Sequence, residues 1–183
     1  HDACGVGVVA NIKGVKAHAI VEKGLEVLVS LAHRGACGSD PETGDGAGIL
    51  LQIPDRFLRQ EAEILGIDLP PVGSYAIGNI FLPRDPKEAS RCQAIFEETV
   101  QEEGQRFLGW RDVPVNAEGI GEVARECQPR IRQILVGQGP GIEDQAQFER
   151  ELYVLRKVVE HRILDSGIED VENFYICTLS SNK

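Results

Sequence analysis

The sequence predicts one domain of mixed helices and strands, an α+β fold, on three observations. Stretches with alternating or continuous apolar character take turns along the chain with stretches in which apolar residues recur every three or four positions, the signatures of strands and of amphipathic helices. Segments rich in glycine and proline punctuate that alternation. With 183 residues, the chain can bury one real core, and its 42% hydrophobic and 26% charged content is that of a folded globular protein rather than a disordered one.

Taken in order, residues 5–11 read as the first strand, with Val6, Val8 and Ala10 on one side and Val9 on the other. Over residues 19–32 the spacing becomes helical through Ile20, Gly24, Val27, Leu28 and Leu31, giving a helix expected to lay one face on a sheet. Residues 33–48 are too dense in glycine for regular structure. Residues 47–53 are almost continuously apolar and end at Pro54, which reads as a buried strand, and a short helix follows over 55–65. A further apolar strand is expected at 75–82. Asp85-Pro86-Lys87-Glu88 then opens a helix to about residue 103: Asp85 can accept a free backbone N–H, Pro86 suits the first position, and Glu88 can reach back as in a capping box. Strands are predicted at 107–115 and 130–136, with a helical stretch over 118–127 between them. A loop at 137–143 leads to a helix over 145–164 whose apolar stripe is Phe148, Leu152, Leu155, Val159 and Ile163. The last strand is expected at 173–179, and its abrupt ending in four polar residues suggests a pairing partner beyond Lys183.

Composition narrows the function classes. A formal net charge of −10 argues against a nucleic-acid surface, which needs a basic patch to neutralise phosphates. No stretch approaches the roughly 18 apolar residues of a membrane span and no secretory signal pattern opens the chain, so a cytoplasmic protein is expected. The five cysteines, Cys4, Cys37, Cys92, Cys127 and Cys177, are odd in number and irregular in spacing, which fits reduced thiols better than a disulfide framework. Cys4, His33 and Cys37 lack a zinc-ligand spacing, and no metal site is expected. Thr43-Gly44-Asp45-Gly46-Ala47-Gly48 lacks the Lys-Ser/Thr ending of a phosphate loop and precedes a strand; its glycines would let backbone approach the first strand, with Asp45 capping the turn. The acidic residues Glu97, Glu98, Glu102 and Glu103 read as a solvated helix face.

A single cysteine near the start of a chain is usually a small inert residue. Here it opens a glycine-flanked apolar strand, Cys4-Gly5-Val6-Gly7, followed one helix later by His33-Arg34-Gly35. On these residues the sequence resembles the class II, or N-terminal nucleophile, glutamine amidotransferases. Within them it is similar to the glutamate synthase family, through His1-Asp2-Ala3-Cys4-Gly5-Val6-Gly7, Thr43-Gly44-Asp45-Gly46-Ala47-Gly48, Leu108-Gly109-Trp110-Arg111-Asp112-Val113-Pro114-Val115-Asn116, Gln128-Pro129, Gln133-Ile134-Leu135-Val136 and Phe174-Tyr175-Ile176-Cys177.

The resemblance implies an αββα four-layer sandwich, incomplete at the C-terminus, in which residues 1–3 are a propeptide remnant and 4–183 the first part of the amidotransferase domain. It implies Cys4 as the nucleophile, its own freed α-amino group acting as base. Glutamine would be hydrolysed to glutamate, and the ammonia channelled to 2-oxoglutarate. FMN and an iron-sulfur cluster are implied for the full-length enzyme and none for this segment. The implied partners are the C-terminal remainder of the same polypeptide and a small electron-transfer subunit or ferredoxin. Arg34 has two readings: its fork orders the N-terminal residues or a substrate carboxylate, or it makes a structural salt bridge that holds the glycine loop. His33 is expected to be a structural hydrogen-bonding residue. The sequence contains no Asn-Gly pair of the kind that forms the family's oxyanion hole, so the 183 residues alone are expected to be inactive. The alternative is a non-catalytic fragment or interaction module in which Cys4 is merely present.

Overall fold

The computed structural model describes residues 5–37, 40 and 42–183. Among these, five α-helices and four strands form: α1 (His18–Ser30), α2 (Asp55–Ile64), β1 (Tyr75–Leu82), α3 (Pro86–Glu102), β2 (Arg106–Asp112), α4 (Glu122–Cys127), β3 (Arg130–Gly137), α5 (Gln145–Leu164) and β4 (Tyr175–Ser180). They fall into two compact units, one of His1–Leu51 with Asn116–Cys127, the other of Gln52–Val115 with Gln128–Lys183.

The second unit is built on one antiparallel sheet of order β2-β3-β1-β4. Alternation along β1 sends Ala76, Ile80 and Leu82 to the face that carries α3 and α5. There they meet Ile134 and Val136 of β3, Ile176 of β4, Cys92, Phe96 and Val100 of α3, and the five stripe residues of α5, every one of which is fully buried. The opposite face carries Tyr75 and Leu135, covered by Leu58 and Ala62 of α2 together with Ile53 and Leu69. Beyond that patch a polar row crosses the same face. Arg111 pairs with Glu61 of α2 at 2.6 Å and donates to Gln133 at 3.0 Å; Gln133 donates to Asn79 at 2.8 Å, in register across β2, β3 and β1.

Local chemistry sets the element ends. Asp85 accepts the N–H groups of Lys87 and Glu88, and Asp144 that of Gln147, each capping the helix that follows. The Glu88 carboxylate does not supply the predicted capping box; it turns to the backbone N–H groups of Glu169 and Asp170 and so pins the start of α3 to the turn before β4. Gly66 and Gly104, both at positive φ, end α2 and α3 with paired bonds from Ile67 to Ala62 and from Gln105 to Val100, geometry that a side chain would strain. At the far end of the unit the Glu149 carboxylate accepts from Ser180 Oγ and from both N–H and Oγ of Ser181, and the Ile53 N–H donates to the Asn182 carbonyl at 3.0 Å.

Several expectations are corrected. Residues 5–11 and 47–53 form no strand among the described residues: Val6 and Val8 are 86% and 88% exposed, and strand-forming side chains do not make a strand without a partner for its backbone. α1 therefore lies against an extended segment rather than a sheet. α4 starts four residues late because Gly119 and Gly121 weaken the helical stretch before it. β2 stops short of Pro114, which has no N–H to give the ladder. A 3-10 turn over Val171–Asn173 delays β4 to Tyr175. The sheet has four antiparallel strands with α3 and α5 on one face and α2 on the other; a second stacked sheet is not among the described elements.

Candidate active site

Of the predicted site residues, His33 and Arg34 stand in the first unit, just past the end of α1. Helical spacing brings Val27 and Leu31 to one side of α1, and the segment after Cys4 runs across them. A Cβ at Gly5 would lie 3.0 Å from Leu31 Cδ2, a tight fit that a small shift of the leucine tip relieves, whereas one at Gly7 would overlap Val27 Cγ1, so close approach favours glycine most strongly at Gly7. Leu31 is followed directly by a 3-10 turn, Ala32–Arg34, that ends the helix, with Arg34 N–H donating to the Leu31 carbonyl at 2.8 Å and Gly35 N–H to that of Ala32 at 3.1 Å. Gly5 and Arg34 are thus organised by the same helix end. Cys4 itself, and residues 1–3, lie outside the described residues.

His33 is exposed, with Nδ1 2.9 Å from the Ser30 carbonyl, the backbone-bonding role expected of it. Arg34 is exposed on the last residue of the turn.

From Gly35 the chain enters the glycine-rich loop, which is closed at its base by a bridge between Cys37 and Gly44 and by two bonds between Ala36 and Asp45. One of these runs from the Ala36 N–H to Asp45 Oδ2 at 3.0 Å, the turn-capping role predicted for Asp45. At the loop tip, Asp40 accepts the Glu42 N–H at 3.0 Å and the Thr43 hydroxyl at 2.9 Å. Donors from the Glu42 backbone, the Thr43 hydroxyl and the start of α4 hold the Asp40 carboxyl below its ordinary range. Thr43 Oγ1 also accepts the Ala124 N–H, and the Glu42 carbonyl accepts that of Gly121. Sequence reasoning missed this constellation. Its one legible signal was an aspartate three residues before a threonine, a spacing common to many turns.

The acidic residues of α3 are not simply solvated: Glu97 accepts the Trp110 indole N–H at 2.7 Å and Glu102 pairs with Arg162. A shallow groove along α5 is lined by Lys157, Val158, His161, Arg162 and Asp165, but its cations are already paired with Glu160 and Glu102. Among the described residues, no group of three or more His, Cys, Asp or Glu side chains converges to hold a metal ion. No helix of the described residues is long and apolar enough to cross a membrane.

Residues 4–183 match the family described as glutamine amidotransferases class-II, and the chain belongs to that family. The match begins at Cys4, the first residue of the Cys-Gly-Val-Gly segment. The chain is similar to the glutamate synthase [NADPH] large chain of Bacillus subtilis, 44% identical over 99% of this chain and 12% of that protein. It is 40% identical to the glutamate synthase [NADH] of Saccharomyces cerevisiae, over 99% of this chain and 9% of the relative. It is also 37% identical to the ferredoxin-dependent glutamate synthase 2 of Synechocystis, over 98% of this chain and 11% of the relative. The chain thus spans about an eighth or less of the length of these proteins.

Proposed function

We propose that these residues carry the nucleophile-bearing portion of a glutaminase site that feeds ammonia to glutamate synthesis, with Cys4 as nucleophile and Arg34 beside the substrate. The observation that carries this reading is the convergence on one helix end: the family match begins at Cys4, the residues just after it cross α1 at Leu31, and the same helix end delivers Arg34.

The chemistry follows from an N-terminal cysteine. Once Cys4 is the first residue, its α-amino group, with an unperturbed pKa of about 8, takes the thiol proton. The thiolate adds to the glutamine γ-amide carbon, the C–N bond breaks as the amine returns the proton, and ammonia leaves. Water then cleaves the γ-glutamyl thioester to give glutamate and the free thiol. While Ala3 remains joined to Cys4, that nitrogen is an amide and cannot serve as base, so removal of His1, Asp2 and Ala3 is part of the proposal. Arg34 presents a planar fork suited to the carboxylate of glutamine.

The 183 residues contain no Asn-Gly pair to supply the family's oxyanion donors, and loss of one such donor costs about 100- to 1000-fold in rate. On their own they are therefore expected to be alkylated by substrate analogues more readily than they turn glutamine over. Transfer of ammonia to 2-oxoglutarate, and the FMN and iron-sulfur cluster of the reductive half, are assigned in this reading to other segments of the full-length polypeptide, of which this chain matches about an eighth or less. Relatives named for NADPH, NADH and ferredoxin are all similar to this chain, so these residues do not choose the electron donor.

The test is alkylation by a diazoketone analogue of glutamine, with the adduct located by peptide mass mapping and the N-terminus defined by intact mass. Labelling confined to Cys4, prevented by glutamine and dependent on loss of residues 1–3, is the expected result. Equal labelling of Cys37, or protection-insensitive labelling, would favour a fragment without chemistry and sink the proposal.

A further inference from the structure

We propose that Asp40, Thr43 and Gly121 form a clasp that positions the Arg34 loop for glutamine; this role rests on the amidotransferase reading above. The loop is fixed at both ends. Its base, Ala36 to Asp45, begins two residues after Arg34 and is held by reciprocal bonds. Its tip is held to the segment that opens α4. The Thr43 hydroxyl works in both directions at once, donating to Asp40 Oδ2 at 2.9 Å while accepting from the Ala124 N–H at 3.3 Å. Serine can repeat this and valine cannot. The Glu42 carbonyl adds a bond from the Gly121 N–H at 3.1 Å.

The fit on the α4 side leaves no room for a side chain. A Cβ at Gly121 would overlap both Asp40 Oδ2 and Thr43 Oγ1. These contacts explain why residues 116–127, which follow β2 in sequence, cluster with the first 51 residues rather than with the sheet. Donors crowding the Asp40 carboxylate keep it ionised, so the clasp is set throughout the neutral range. Arg34 lies between two fixed points, the end of α1 and the loop base. Holding a substrate-binding arginine there in advance lowers the entropy lost when glutamine binds, without touching the reacting atoms. Asp40 is in this sense a positioning residue.

Two readouts on the same variants test the idea: the concentration dependence of Cys4 alkylation by the diazoketone, and the rate of tryptic cleavage after Arg34. In Asp40→Ala, Thr43→Val and Gly121→Ala, the half-saturating concentration should rise about tenfold while the limiting alkylation rate stays within about twofold, the pattern of lost binding rather than lost chemistry. Cleavage after Arg34 should be faster in the same three variants, and Thr43→Ser should behave as wild type in both. Faster cleavage with an unchanged half-saturating concentration would reduce the clasp to a structural contact and overturn the proposal. Unchanged cleavage, or a Thr43→Ser variant as impaired as Thr43→Val, would overturn it equally. Should wild-type Cys4 take no label, the nucleophile reading falls on its own. The clasp then stands if the glutamine dissociation constant, read by isothermal titration, rises about tenfold in the three variants but not in Thr43→Ser, and falls if it does not.

Discussion

Cys92 lies on the inner side of α3 with no exposed surface, and burial, aided by the Glu88 carboxylate, pushes its thiol up to about 11. Because the folded pKa is raised, the fold favours the neutral thiol. That contribution is complete below the unfolded value near 9 and disappears as pH climbs through 11. Wild type should therefore lose on the order of 2 kcal/mol more stability than Cys92→Ala between pH 8 and pH 11, as read from urea midpoints. Comparison with the variant is essential, since Tyr75, buried and bonded to Asp55, is held protonated well above its ordinary range and so adds an alkaline loss of stability of its own to both proteins. Cys37, Cys127 and Cys177 are exposed, so they should react with a thiol reagent in the native protein while Cys92 does not. Sequence reasoning reads all four alike, as reduced thiols; only their exposure separates them, and exposure depends on packing far from each cysteine.

At the scale of elements, α2 is joined to the sheet by more than its apolar face. Glu61 meets Arg111, whose side chain is 10% exposed and stacks 5.2 Å from the Phe57 ring, so removing the carboxylate strands a largely buried cation. Glu61→Ala should cost about 3 kcal/mol in chemical denaturation, and Glu61→Gln, which keeps an acceptor, markedly less. An undiminished midpoint in Glu61→Ala would mean that water replaces the pair. Elements whose signal is internal were legible from the sequence: β1 runs from Tyr75 to Leu82 and α5 from Gln145 to Leu164, both as predicted, because alternation, capping and an apolar stripe are properties of the segment itself. Residues 5–11 show the opposite case. Their valines carry strand character, but pairing belongs to a partner elsewhere, and no local pattern reports it. The polar row across the sheet was hidden for a related reason: Asn79 sits in an otherwise apolar strand, and only register reveals that Gln133 stands opposite it.

For the whole molecule, the family was legible in its motifs and the geometry around them was not. Cys-Gly-Val-Gly and His-Arg-Gly pointed to the class II amidotransferases, the family the chain matches, whereas the contact of the Asp40–Thr43 turn with α4 joins residues about 80 positions apart. The sheet unit depends on still longer separations, with Asn79 bonded to Thr178 across 99 residues, so its closure is expected to be slow relative to formation of its helices. The bond between Ile53 and Asn182 gives that unit a different property. Residues 53 and 182 meet at one spot, so the stretch between them, apart from its excursion over residues 116–127, follows a nearly closed path, and the place where such a path is cut need not matter to what it encloses. A permuted version, with residue 183 tied to residue 52 through a short glycine linker and new termini between the exposed Pro140 and Gly141, should retain cooperative unfolding and native circular dichroism. Loss of cooperativity in that variant would show instead that the order of synthesis, and not the closed path, holds the sheet together.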